Sequence, residues 1–135
     1  MKQLIFHGSV IFFVGLLCGV PFGRAIVRRK AEATISAWRV AHTSLTNGGI
    51  LLLVLGLLVP HLQLGTSALT LMVWAFVASA YGFVFALPLG ARYGHRGLTY
   101  KPPLVNRIVF FTNMVGVLGS VVGSVVLLWG AYAAL

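Results

Sequence analysis

Carboxylates are almost missing from this sequence. Glu32 is the only acidic residue, set against ten lysines and arginines. It lies outside every long apolar run, so no carboxylate is available inside one. That removes acid–base chemistry by paired carboxylates, a carboxylate-rich metal site and a Ser–His–acid set. It also argues against a small proton-coupled exporter, which needs a membrane carboxylate to carry its proton. Cysteine is equally scarce. Cys18 stands alone, so it forms neither an intramolecular disulfide nor a thiolate metal cluster. Charge of either sign makes up 8% of the residues, against roughly 25% in soluble domains. So few charges cannot solvate a globular surface.

What remains is apolar. Hydrophobic residues make up 59% of the chain and the mean hydropathy is +1.00. The class is therefore an all-α integral membrane protein. Crossing a bilayer takes about 20 apolar residues in a helix. Four runs are long enough, at about 4–22, 40–59, 69–89 and 108–135. Pro60 closes the second and Pro88 lies near the end of the third. Four helices with short links predict one compact bundle over residues 1–135, with no repeat and no second domain.

The sequence pI of about 11.0 raises nucleic acid as a partner. A bilayer explains the charge better, because the basic residues sit between the apolar runs. Arg24, Arg28, Arg29, Lys30 and Arg39 fall in the first link, and Arg92, Arg96, Lys101 and Arg107 in the third. The middle link holds none. The positive-inside rule then makes the first and third links cytoplasmic and turns both termini outward, in a bacterial inner membrane. The first basic cluster follows its apolar run, so that run reads as a retained anchor and not a signal peptide. Gly116, Gly119, Ser120, Gly123 and Ser124 in the fourth run allow close helix approach, either within the bundle or between copies.

Polar groups inside such runs are costly and mark function. They are His7, His42, Asn47, Asn113 and Tyr81. Imidazole is the strongest ligand among them. His7 and His42 fall near opposite faces of the bilayer, so the two should not share a metal. A single histidine can still hold a metal that brings its own planar macrocycle, and haem iron needs only one proximal imidazole. His42 has the right surroundings. Gly48 and Gly49 follow within two turns and would leave room for a flat ring. Arg39, one turn back, could meet a propionate bidentately. The competing reading is that His42 hydrogen-bonds across helices near the interface.

The polar residues also carry a resemblance. His7–Gly8, Gly19–Val20, "WRVAH" at 38–42, Asn47–Gly48, Gly82–Phe83 and "RGLTY" at 96–100 occur in order. This ordered set resembles the bacterial styrene oxide isomerases, small four-helix membrane proteins. The resemblance implies a homotrimer with haem b near subunit interfaces and His42 as axial ligand. It also implies that ferric haem acts as a Lewis acid on an apolar epoxide and that an aldehyde forms in a Meinwald rearrangement. Arg96, in the family's Arg-Gly-Leu-Thr motif, becomes a propionate candidate beside its role in topology and headgroup contact.

The chain departs from the family's pattern at the epoxide. The family's asparagine falls one residue later, where Gly48 stands, so Asn47 is displaced and is expected to reach only a neighbouring chain's haem. Val84 takes the place of the family's tyrosine, and Tyr81, one turn earlier, is the substitute candidate. Three functions follow as expectations. The first is a haem-dependent epoxide isomerase. The second is a haem protein for electron transfer, sensing or haem handling, and the third a cofactor-free structural or transport bundle. An open sixth iron position separates the first from the second.

Overall fold

The computed structural model describes residues 2–135. Four helices make up nearly all of them: α1 (Lys2–Val27), α2 (Glu32–Leu58), α3 (Thr66–Tyr93) and α4 (Leu104–Tyr132). All four are long and apolar enough to cross a membrane. Most ends run beyond the apolar stretches that announce the helices. At the basic end the extension is systematic. Arg24, Glu32, Arg39, Arg92 and Arg107 all lie within helices. Backbone hydrogen bonding continues into an interface while long side chains reach for water, so hydropathy alone underestimates these ends.

Proline and glycine set the breaks. Pro60 supplies no N–H, and α2 gives way at Leu58 to a single 3₁₀ turn, Val59–His61. Gly94 stops α3 with φ 74°, its N–H bonded to the Gly90 carbonyl.

The helices pair as two antiparallel hairpins, α1 with α2 and α3 with α4. Glycines make both pairings close. A Cβ at Gly15 would lie 2.5 Å from the Thr46 nitrogen, and one at Gly49 2.5 Å from the Phe12 nitrogen. In α4 the small residues divide by role. Gly116, Gly119 and Gly123 sit against Phe83, Ala75 and Phe76 of α3, so they serve packing within the chain. Ser120 and Ser124 face away from that contact, into a cavity shared with α2.

Leu4, Ile11, Leu45, Leu52, Leu55 and Met72 form the centre of the core, drawn from α1, α2 and α3. α4 adds little to this centre. It leans on α3 and makes no substantial contact with α1 or α2. The bundle is therefore not closed. A groove runs between α2 and α4 with α3 as its floor, where the sequence led us to expect a compact four-helix arrangement. The reason is steric. Gly116, Gly119 and Gly123 bring α4 close to α3, while Ser120 and Ser124 turn toward α2 across an open cavity.

Candidate functional site

His42 lies on the face of α2 that packs against α1. Its Nδ1 is 2.8 Å from the Gly15 carbonyl oxygen. A carbonyl only accepts, so Nδ1 carries the proton and donates it. The ring nitrogen left with a free lone pair is Nε2, and among the described residues no hydrogen bond reaches it. A metal-binding histidine is oriented this way, with one nitrogen tied to a carbonyl and the other presented to the ligand.

The ring is held on its faces as well. A Cβ at Gly19 would lie 3.3 Å from Cε1 and Nδ1, tighter than ordinary contact, so any larger residue there would press on the imidazole. Phe22 stacks on His42 with centroids 6.1 Å apart and planes 28° apart. The Arg39 guanidinium lies 5.8 Å from the centre of the Phe22 ring and 3.8 Å from the Glu32 carboxylate. Arg39 therefore sits beside the His42 assembly, at its basic end, as its spacing suggests.

The other candidates do not join this site. Gly49 is on the His42 side of α2, but α1 fills the space against it, so it cannot make room for a flat ring. Gly48 does stand in open space, about 120° around α2 from His42. It lines the α2/α4 groove with Ser44, Leu51 and Phe83. Arg96 borders the basic end of the same groove with Arg92, His95 and Asn113. The backbone faces behind this separation are fixed. Ala33, which lines the groove, and His42 lie about 180° apart on α2. Within one chain, Gly48 and Arg96 cannot touch a ligand held on His42. Asn47 is exposed, has no hydrogen-bond partner among the described residues, and also points away from His42.

Tyr81 takes part in a different contact. Its hydroxyl lies 3.0 Å from Nδ1 of His7, with Trp74 6.0 Å from the His7 ring. His7 thus has a partner on α3, and the tyrosine hydroxyl is already engaged. Asn113 donates from Nδ2 to the Arg96 carbonyl at 3.1 Å, which ties the α3–α4 loop to α4.

Three groups of residues were not legible beforehand. Gly15, Gly19 and Phe22 complete the histidine site, and the small-residue face of α1 (Gly8, Gly15, Gly19) is the signal that would have found it. His7 and Tyr81 are 74 positions apart, and nothing local couples them. Asn106 holds the α3–α4 loop by accepting from the Gly97 N–H and donating to the Thr99 and Lys101 carbonyls. An asparagine two residues into α4, after two prolines, reads as an ordinary helix start.

The fold and site together define an all-helical protein with four membrane-length helices and an imidazole, His42, whose donating nitrogen is fixed by a backbone carbonyl. The family model described as styrene oxide isomerase matches residues 1–132, and the chain belongs to that family, a family of isomerases. Comparison with curated proteins and with solved structures returns no match.

Proposed function

We propose that this protein is a haem b-dependent isomerase that converts an apolar epoxide into the isomeric aldehyde. The observation that carries the reading is the hydrogen bond from His42 Nδ1 to the Gly15 carbonyl, which leaves Nε2 free. The donor set supports a macrocycle over a bare ion. Among the described residues no three of His, Cys, Asp and Glu come together, so an ion would find one protein ligand, while haem brings four nitrogens of its own. His42 would hold the iron, and Arg39, beside it, is the cation available to a propionate.

When bound, haem supplies a Lewis-acidic ferric iron for the epoxide oxygen. The chain supplies orientation and the exclusion of water. Gly15, Gly19 and Phe22 fix the imidazole, and Leu45 behind it is buried. The nearest carboxylate, Glu32, is paired with Arg39 at 3.8 Å, and its backbone lies about 15 Å from that of His42 along α2. The reaction is an isomerisation, so a C–O bond breaks, a hydride moves to the neighbouring carbon, a carbonyl forms, and no oxidant or co-reactant is consumed.

We read the chain as a multi-pass protein of a bacterial inner membrane, with the basic links cytoplasmic and both termini outward. We read the assembly as the homotrimer that the family resemblance implies, in which Asn47, an exposed amide with no partner among the described residues, would meet a polar group of a neighbour.

The test is the absorption spectrum of detergent-purified protein, wild type beside His42→Ala, with an aryl epoxide assay. A high-spin Soret band that His42→Ala abolishes, together with aldehyde formation, is the expected result. A low-spin six-coordinate spectrum without turnover would transfer the protein to electron transfer or sensing. No Soret band in haem-replete wild type would sink both haem readings.

A further inference from the structure

The α2/α4 groove has a basic mouth and an apolar interior, and within one chain it lies on the face of α2 turned away from His42. Near the mouth is a cavity of about 500 Å³ walled by small side chains: Ala33, Ala37, Ala86, Gly90 and Ala91. Further along, about 360 Å³ lies over Phe76, Ala80 and Phe83. Leu87 borders both, so the two cavities adjoin end to end along α3. From Ala91 to Phe76 the floor runs roughly fifteen residues of α3, about 22 Å. One leaflet's hydrocarbon is about 15 Å deep. The groove is long enough for a single acyl chain.

Its mouth carries Arg92, His95 and Arg96. The chain's only acidic side chain is occupied elsewhere, with Glu32 at 3.8 Å from Arg39, and neither Arg92 nor Arg96 has an ion pair among the described residues. The wall that bears them is built firmly. The His95 carbonyl presses on Gly90, and Gly97, with φ 60°, packs on Val109 and Phe110. Asn113 and Asn106 pin the same loop.

We propose that this groove is a binding site for one anionic phospholipid of the membrane face at the basic end of the helices. One acyl chain lies between α2 and α4, and the phosphate meets Arg92, Arg96 and His95. Charge selects the headgroup, because unpaired guanidiniums at an interface favour anionic lipid. Shape selects the chain, because small residues on three walls leave a long apolar slot that no described residue fills. The proposal does not depend on the isomerase reading, and Gly48 is open because it borders this slot.

Native mass spectrometry of the full-length protein tests it, with phosphatidylglycerol or phosphatidylcholine of identical acyl chains added in detergent. We expect retention of one phosphatidylglycerol per protomer, about tenfold weaker retention in Arg92→Gln/Arg96→Gln, and the same loss in Ala37→Leu, which blocks the slot and keeps the charge. Competition by inorganic phosphate alone would leave the chain unnecessary and overturn the proposal. Equal retention of both lipids, or no effect of either variant, would also overturn it. So would cross-linking of Ala37→Cys to α4 of another copy in intact membranes, which would make a second chain the occupant. The Soret band of the Ala37→Leu protein is expected to match wild type, so loss of lipid and loss of haem are told apart.

Discussion

His42 and Gly15 belong to different helices, and a 2.8 Å hydrogen bond from Nδ1 to the Gly15 carbonyl joins them. The contact determines which nitrogen is free and which way it faces. It also makes α1 a structural part of the candidate site whose imidazole sits on α2.

Gly19 is the most direct check on that relationship. A leucine there must displace the ring, because even its Cβ would stand 3.3 Å from two imidazole atoms. Partners that orient a ligand histidine are worth roughly 10–100-fold in metal affinity. Gly19→Leu is therefore expected to weaken haem binding by about that factor while circular dichroism shows unchanged helix content. Unaltered haem affinity would show that α1 does not set the imidazole.

The two neighbouring glycines of α2 should respond in opposite directions. Gly49 is pressed against Phe12, and a leucine there overpacks the α1–α2 contact at a cost of about 1–3 kcal/mol. Gly48 faces open space, and Gly48→Ala should be neutral or stabilising by up to about 1 kcal/mol through helix propensity. Thermal unfolding in detergent distinguishes the two. Equal destabilisation would contradict the separation of faces described above.

Tyr81 and His7 should behave as a pair remote from the iron. Hydrogen bonds between membrane helices average about 0.6 kcal/mol. Tyr81→Phe, His7→Phe and the double variant are expected to give a coupling energy of that order. All three should leave the Soret band where it is. A shifted or lost band in Tyr81→Phe would place the phenol at the haem after all.

Removing Asn106 should loosen the α3–α4 loop selectively. Its side chain makes three hydrogen bonds, one of them to the Gly97 N–H. Partly exposed bonds of this kind contribute about 1 kcal/mol each at most. Asn106→Ala is expected to speed amide exchange at Gly97 and to open the 94–103 loop to protease, with the helices protected as before.

Asn47 tests the assembly. Because it has no partner in its own chain, Asn47→Leu should leave the single chain's fold intact and shift the oligomer toward smaller species in analytical ultracentrifugation. An unchanged distribution would remove Asn47 from any contact between copies.

The four helices, their order and the basic character of one end are legible in the residues read one after another. Helix length and apolarity are local quantities, and four runs of the length and apolarity of a membrane span are read directly from them. The sequence also singled out His42 and Arg39, because a histidine followed by glycines and preceded by arginine is unusual in an apolar run. Local spacing could not assign faces between helices. Gly48 and Gly49 are adjacent in sequence, yet one lines an open groove and the other is buried under α1. Arg96 belongs to a recognisable motif, yet α2 stands between it and His42. Only the packing decided these. Rotation about each helix axis is set by which small residues allow the closest approach, and that depends on pairs of helices read together. The open α2/α4 groove has the same origin. Gly116, Gly119 and Gly123 draw α4 onto α3, and Ser120 and Ser124, which turn toward α2, are left lining the cavity between them.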